Sequence, residues 1–210
     1  MNPDRKFVLA ITGASGFAYG RRTLEVLAAT GAEVHVTVSG PAAKVADHEL
    51  GLRFDPEDAN ETARALMGEP AANVIVHRSG EIEASISSGS FRHDGMAVVP
   101  CSMGTLARIA HGLSSSLCER AADVCLKERR KLILVPRETP YSTIHLENML
   151  KLSQAGAIVL PASPGLYAGA TTVDQLVDFV VSRVLDHLGV ENNLMQRYGE
   201  PARKRHPEDE

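Results

Sequence analysis

The sequence contains no tryptophan and few cysteines or other aromatic residues, and each shortage excludes a class of protein. Because aromatic residues make up only 4% of the chain, the core must consist of Val, Leu, Ile and Ala, as in a sheet covered by helices. Three cysteines without a regular pattern are not a disulfide framework. The sequence has no CxxC or HExxH motif, so we expect no metal site.

Long apolar runs and an excess of positive charge are also missing. No segment reaches the roughly 20 uninterrupted apolar residues of a membrane span. The N-terminus enters a strand-like segment without the apolar run of a signal peptide. A formal net charge of -4 gives no electrostatic case for nucleic acid as the main partner. We therefore expect a cytoplasmic protein that binds neither membranes nor nucleic acid.

Apolar runs alternate with helical patterns along most of the chain. This alternation predicts βαβ units, and hence an α/β protein with a mostly parallel sheet. The predicted strands are residues 7–12, 33–38, 74–77, 96–100, 132–135 and 157–160. The predicted helices are residues 17–29, 41–50, 103–111, 116–128, 142–154 and 173–188. Residues 51–70 are ambiguous; we expect one domain over residues 1–200 and a charged, disordered tail over residues 201–210.

A glycine-rich segment, TGASGFAYG, joins the first strand to the first helix. Gly13 and Gly16 permit close backbone approach and positive φ, Ser15 adds a hydroxyl, and the helix N-terminus offers N–H groups to a phosphate. The alternative is a tight turn without a ligand. A short-chain dehydrogenase is disfavoured, because Ser39 stands where a carboxylate would hold the ribose of NAD and no Tyr is followed four residues later by Lys. The loop fits FMN better than NAD.

Polar residues also follow the fourth strand, at the edge where parallel sheets bind ligands. Cys101, Ser102 and Thr105 lie at this strand-to-helix junction and could grip a phosphate or a flavin edge. For Cys101 itself we favour a simpler interpretation, a small packing residue. The Ser-rich segment over residues 81–95 is either a solvated loop or a flexible flap over a ligand.

Cations surround the fifth predicted strand in the run KERRKLILVPRETP. Arg137 and Glu138 follow this strand directly, at the ligand edge. Arg120 and Lys127 lie seven residues apart on the preceding helix, and therefore on one face. We interpret these cations as an anion-binding cluster.

Other charges have simpler explanations. Residues 129–131 are interpreted as a solvated helix end that opposes the helix dipole. Arg183 lies in an otherwise apolar helical segment and should lie at an interface or have an anionic partner, either Asp178 or Asp186.

Several segments together resemble the flavin prenyltransferase family: TGASGFAYG, ASISSGSF, PCSMGTL, RAADVCLKERRKLILVPRETP, SRVLDHLG and the loop around Tyr167. The resemblance covers residues 7–198. It implies a three-layer, Rossmann-like flavoprotein fold. It also implies a metal-independent enzyme that joins the dimethylallyl group of dimethylallyl phosphate to N5 and C6 of reduced FMN. The product, prenylated FMN, would serve a partner decarboxylase of ubiquinone or phenylacrylate metabolism. The family is typically homo-oligomeric, a dodecamer built from trimers.

The resemblance also implies the site residues. Those that would bind FMN are Gly13, Ala14, Ser15, Ser39, Cys101, Ser102, Met103, Gly104, Thr105 and Arg137. Those that would bind dimethylallyl phosphate are Arg120, Lys127, Glu138, Tyr167 and Arg183. The catalytic residues would be Ser15, Glu49, Glu138 and Lys127. Two positions depart from the family pattern: Gly104, where members often carry Lys, and Tyr198, where another aromatic residue, often Trp, is usual.

Two other functions remain open. A flavoprotein that oxidatively decarboxylates peptidyl- or pantothenoyl-cysteine would share the fold and FMN. Those enzymes use a catalytic His near the first helix, and residues 16–29 contain no His. A non-catalytic FMN-binding protein would leave Arg183, Lys127 and Glu138 without a role.

Overall fold

A computed structural model describes residues 5–197 and residue 199. The strands are β1 (Lys6–Ile11), β2 (Glu33–Val38), β3 (Val74–His77), β4 (Gly95–Cys101), β5 (Leu132–Pro136) and β6 (Ile158–Val159). The helices are α1 (Phe17–Ala29), α2 (Gly40–Leu50), α3 (Ala59–Met67), α4 (Met103–Ala110), α5 (Leu117–Lys127), α6 (Thr143–Gln154) and α7 (Val173–Leu188), with short 3-10 helices at Ser85–Ser87 and Leu166–Ala168. No helix within the described residues is long and apolar enough to cross a membrane. Tyr198 and the tail predicted at residues 201–210 lie outside the described residues.

The strands form one sheet in the order β3-β2-β1-β4-β5-β6, and every pairing is parallel. From β1 the chain adds β2 and β3 on one side of the sheet, and from β4 it adds β5 and β6 on the other side. Such a reversal opens a crevice at the carboxyl ends of the two central strands. The predicted Rossmann-like fold is confirmed, and each predicted strand or helix differs from the observed element by one residue at most at either end.

Helices cover both faces of the sheet and give the expected three layers. On one face, α1, α2, α3 and α7 pack against alternate strand residues such as Leu9 and Val36. On the other face, α4, α5 and α6 pack against the intervening residues, such as Val8 and Leu134. Both sets are buried, which explains why the strands appear as continuous apolar runs rather than as alternating patterns.

Helix α3 lies in the segment whose sequence was ambiguous. Asp58 caps it by accepting hydrogen bonds from the N–H groups of Asn60 (2.8 Å) and Glu61 (3.0 Å). Only Thr62 and Leu66 of this helix are buried, so its apolar stripe is too short to give a clear helical pattern.

The Ser-rich segment over residues 81–95 covers part of the core and is not simply a solvated loop. Its Ile86 is buried against the sheet. Arg130 donates hydrogen bonds to the carbonyl oxygens of Phe91 (2.6 Å) and Gly89 (2.5 Å). The interpretation of Arg130 as part of a solvated helix end is therefore wrong, because its guanidinium fastens this segment to the start of β5.

Gly20 lies where α1 crosses β4 and has no room for a side chain. A Cβ there would overlap the carbonyl oxygen of Val99 and come within 2.9 Å of Ile11. We expect Gly20→Ala to lower the free energy of unfolding by about 3 kcal/mol, because the helix must shift away from the sheet. Urea denaturation measures this change.

The matched control for this prediction is Gly40→Ala in the first turn of α2. Nothing lies within 4 Å of the position that its Cβ would occupy. We expect its free energy of unfolding to change by no more than about 0.5 kcal/mol. Equal stabilities of the two variants would contradict the close approach of α1 to β4.

Candidate active site

The loops that follow β1, β2, β4 and β5 meet at the carboxyl edge of the sheet. These strands are consecutive neighbours in the order β2-β1-β4-β5, so the residues that follow them line one crevice. The structure thereby brings together the positions expected to bind FMN, which are Gly13, Ala14, Ser15, Ser39, Cys101, Ser102, Met103, Gly104, Thr105 and Arg137.

Hydrogen bonds between the loops fix the crevice. The hydroxyl of Thr12 donates to the carbonyl oxygen of Pro100 (2.9 Å) and accepts from the N–H of Ser102 (2.8 Å). Arg137 donates from Nε to the carbonyl oxygen of Ser15 (3.2 Å). Because Arg137 follows β5, this bond passes the end of β4 and connects the end of β5 to the loop after β1.

Serines cap two helices that begin at this edge. Ser39 Oγ accepts a hydrogen bond from the N–H of Ala42 (3.3 Å) at the start of α2. Ser102 Oγ accepts one from the N–H of Thr105 (3.2 Å) at the start of α4. The other first-turn N–H groups have no partner inside their helices, and the positive ends of two helix dipoles face the crevice. A mononucleotide phosphate fits this donor set.

The N-terminus of α1 is already capped by a carboxylate. The two oxygens of Glu49 accept hydrogen bonds from the N–H of Gly16 (2.9 and 3.0 Å), and one of them also accepts from the N–H of Phe17 (2.9 Å). The expectation that these N–H groups are free for a phosphate is therefore wrong. Ser15 also donates its side-chain hydrogen bond to Glu49, so two of the expected catalytic residues are in contact.

The charge of Glu49 is stabilised by its surroundings. Burial alone would raise the pKa of this carboxyl, but the hydrogen bonds from Ser15, Gly16 and Phe17 and the positive charge of Arg137 outweigh that cost. Its pKa therefore lies below the ordinary value of 4.5, and the group is a carboxylate at neutral pH.

We expect Glu49→Gln to lower the free energy of unfolding at neutral pH by about 1 kcal/mol, because the helix loses a charged cap. The folded-state pKa is depressed, so this stability is present above the ordinary pKa of 4.5 and is lost as pH falls through the folded-state value. The difference between wild type and variant should therefore shrink below pH 4.5, as measured by urea denaturation at several pH values. A difference that does not depend on pH would contradict the charged cap.

Cys101 contributes packing rather than a reactive thiol. Its side chain is fully buried, and burial raises the pKa of the thiol well above its ordinary value of 9.0. A buried, protonated thiol is a poor nucleophile, so Cys101 can contribute to a ligand site only through its place in the backbone of the loop.

Lys127 is not at the crevice of its own chain. Helix α5 runs antiparallel to the strands: the N–H of Leu117 at its start bonds to the carbonyl oxygen of Ser79 (3.0 Å), beyond the end of β3. Lys127 ends the helix and precedes β5, whereas Arg137 follows β5. Because the strand between them spans roughly 17 Å, the two cations lie at opposite edges of the sheet. The interpretation that they surround one rim is wrong for a single chain.

The other expected substrate residues make local contacts. Glu138 is exposed and accepts a hydrogen bond from the N–H of Thr139 (2.9 Å). Tyr167 is also exposed, and its ring centroid lies 5.7 Å from that of Phe179. The two arginines each pair with an aspartate three residues later: Arg120 with Asp123 (3.1 Å) and Arg183 with Asp186 (2.7 Å). Exposed pairs of this kind contribute little to stability.

Two residues beside the crevice were not among the expected site residues. Thr12 is 2% exposed and bonds β1 to β4; a threonine that ends an apolar run is the signal that could have identified it. Tyr19 lies within the glycine-rich segment, and its ring packs against Gly16. Burial raises the pKa of Tyr19 despite the opposing charge of Arg137.

Comparisons with known proteins agree with this arrangement. A family model described as Flavoprotein matches residues 1–185. Flavin prenyltransferase UbiX from Alkalihalophilus pseudofirmus is 47% identical over 197 residues, which cover 94% of this chain and 98% of that protein.

Two solved structures are also similar. The crystal structure of AnUbiX (PadA1) in complex with FMN and dimethylallyl pyrophosphate is 41% identical with a TM-score of 0.84, and the match covers 95% of this chain and 100% of the other. A dodecameric FMN-dependent UbiX-like decarboxylase from Escherichia coli O157:H7 is 43% identical with a TM-score of 0.81, over 93% of this chain and 100% of the other. The chain therefore belongs to the flavin prenyltransferase family.

Proposed function

We propose that the protein is a flavin prenyltransferase, which joins the dimethylallyl group of dimethylallyl phosphate to N5 and C6 of reduced FMN. The observation that carries this proposal is the crevice at the carboxyl edge, where Ser15, Ser39, Ser102 and Arg137 converge in a member of this family. Prenylated FMN would then pass to a partner decarboxylase, as in ubiquinone biosynthesis.

The residues at the crevice fit FMN. Ser39 and Ser102 mark two helix N-termini that would offer N–H groups to its phosphate, and Arg137 would add a charged donor. Gly13 lies against Pro41 at the start of α2, where a Cβ would come within 2.4 Å of the Pro41 side chain, so glycine allows the two loops to approach closely. The FMN site proposed in full consists of Gly13, Ala14, Ser15, Ser39, Cys101, Ser102, Met103, Gly104, Thr105 and Arg137.

The cations proposed to bind dimethylallyl phosphate are suited to its leaving group. Arg120, Lys127 and Arg183 would hold the phosphate and stabilise the negative charge that develops on it. Tyr167 and Glu138 would complete the pocket and exclude water from the apolar dimethylallyl group. Reduced FMN supplies the nucleophilic N5 and C6 atoms.

Proton movement would fall to the residues beside the flavin. Ser15 Oγ, which interacts with Glu49, and the exposed carboxylate of Glu138 would carry protons between the flavin and solvent. Glu49 is held as a carboxylate by its hydrogen bonds. In this role it would orient Ser15 and accept a proton rather than donate one.

A complete site would need more than one copy of the chain. Lys127 lies at the amino ends of the strands, opposite the crevice of its own chain. It would therefore reach the crevice of a neighbouring copy. Helix α6 also presents the exposed apolar side chains of Ile144, Leu146 and Leu150, which a neighbouring copy would cover. We therefore propose a homo-oligomer, and specifically a dodecamer like that of the E. coli relative.

We further propose that residues 1–200 form a single FMN-binding domain and that the protein acts in the cytoplasm. The single sheet of the described residues supports the first point. The second is supported by Cys101, Cys118 and Cys125, which are buried and free of disulfides, as is usual in a reducing compartment.

The activity is tested by asking whether the product activates a decarboxylase. The protein is incubated without oxygen with reduced FMN and dimethylallyl phosphate, and the filtrate is added to a phenylacrylate-type decarboxylase that lacks its cofactor. We expect decarboxylation to be restored only when both ligands were present. No restoration, from protein that binds FMN, would favour a non-catalytic FMN-binding protein. Release of carbon dioxide from a peptidyl-cysteine would favour the cysteine decarboxylases.

A further inference from the structure

Arg108 lies across the N-terminal turn of α4, among residues proposed to bind FMN. Its Nε donates to the carboxylate of Glu119, and its Nη2 donates to the hydroxyl of Thr105 (3.4 Å). Its Nη1 lies 3.4 Å from the position that a Cβ on Gly104 would occupy. Nη1 makes no hydrogen bond within the described residues, and the side chain is 45% exposed.

Glu119 holds this arginine in place. It is 2% exposed, and its second oxygen accepts a hydrogen bond from the N–H of Ser115 (2.8 Å). A buried carboxylate needs a charged partner, because its desolvation is otherwise uncompensated. Arg108 is the cation that pairs with it, so α5 determines where the guanidinium of α4 lies.

Arg108 also determines whether the hydroxyl of Thr105 donates or accepts a hydrogen bond toward the crevice. This hydroxyl accepts from Ser102 Oγ (3.0 Å) and from Nη2 of Arg108 (3.4 Å). An alcohol oxygen accepts two hydrogen bonds and donates one. With both acceptor positions used, the hydroxyl of Thr105 is left as a donor. Flavin carbonyl and phosphate oxygens are acceptors, so this polarity suits FMN.

We propose that Arg108, oriented by Glu119, is a positioning residue of the FMN site. It acts by fixing the hydroxyl of Thr105 in the first turn of α4. This inference rests on the proposed function, because it takes FMN as the ligand of the crevice. It adds to the site a pair that none of the family motifs contributed.

The test is the dissociation constant of oxidised FMN, measured by quenching of flavin fluorescence. Removing Arg108 alone would leave Glu119 buried without its partner and could unfold the protein. The main variant is therefore Arg108→Ala/Glu119→Gln, in which no charge is stranded. We expect its dissociation constant to rise about tenfold, the usual loss for a hydrogen-bond network with a charged member.

Arg64→Ala is the matched control, since Arg64 is exposed in the last turn of α3, which leads into the start of β3 at the edge of the sheet opposite the crevice. Its dissociation constant should equal that of wild type. Repeating the paired substitutions in a Thr105→Ala background shows whether Arg108 acts through Thr105. There we expect their effect to fall below about twofold, because sites that act through each other are not additive.

Two results would overturn the inference: an unchanged dissociation constant in the folded paired variant, or a full tenfold loss that persists in the Thr105→Ala background. The first would mean that Arg108 does not support FMN binding, and the second that it does so without Thr105. Wild-type protein that fails to bind FMN would refute the proposed function and this inference together. If wild type binds FMN and the paired variant has the same dissociation constant, this inference alone is refuted.

Discussion

Glu138→Gln should abolish prenylation and leave FMN binding intact. Glu138 is exposed directly after β5, beside Arg137, so its replacement removes no packing. Glutamine keeps the size and polarity of the side chain but cannot accept a proton. We expect kcat to fall by about 10²- to 10⁴-fold, the usual contribution of a general acid or base. Product formation is followed by mass spectrometry and FMN affinity by fluorescence.

The control for this variant is Glu69→Gln, another exposed glutamate, which follows α3 away from the crevice. It should retain full activity. Full activity in Glu138→Gln would remove Glu138 from the catalytic residues. Loss of FMN affinity in parallel with kcat would instead assign this carboxylate to flavin binding.

Lys127→Ala should also be inactive, yet it should regain activity when it shares an oligomer with Glu138→Gln. Lys127 precedes β5 and Glu138 follows it, so the two residues of one chain lie at opposite edges of the sheet. If a site takes Glu138 from one copy and Lys127 from another, random mixing leaves about one quarter of the sites intact. Turnover by the co-expressed variants measures this fraction.

The control mixes Glu138→Gln with Arg137→Ala, because both residues follow the same strand and belong to the same crevice. Every site in that mixture carries one of the two substitutions, so no activity should return. The proposed contribution of Lys127 from a neighbouring copy would be wrong if the first mixture formed mixed oligomers and stayed inactive.

The fold was predictable because its strands and helices are strongly patterned. Strands buried on both faces form continuous apolar runs, and α1 and α7 carry long apolar stripes. Helix α3 escaped prediction because only Thr62 and Leu66 of it are buried. The anchoring of the segment over residues 81–95 to the core was not predictable, because Ile86, a single buried side chain, gives no periodic signal.

The positions of the site were predictable wherever topology alone determines them. Ser39, Ser102 and Arg137 directly follow parallel strands, so they had to share one edge. Their partners were not predictable in the same way. The capping of α1 by Glu49 depends on how α2 packs beside α1, and the pairing of Arg108 with Glu119 depends on the contact between α4 and α5.

The mass of the flavin after turnover tests the proposed function most directly. The protein is incubated without oxygen with reduced FMN and dimethylallyl phosphate, and the flavin is then released and weighed by mass spectrometry. We predict FMN heavier by one isoprene unit, formed only when dimethylallyl phosphate is present. Unmodified FMN, from protein shown to be folded and oligomeric, would contradict flavin prenylation.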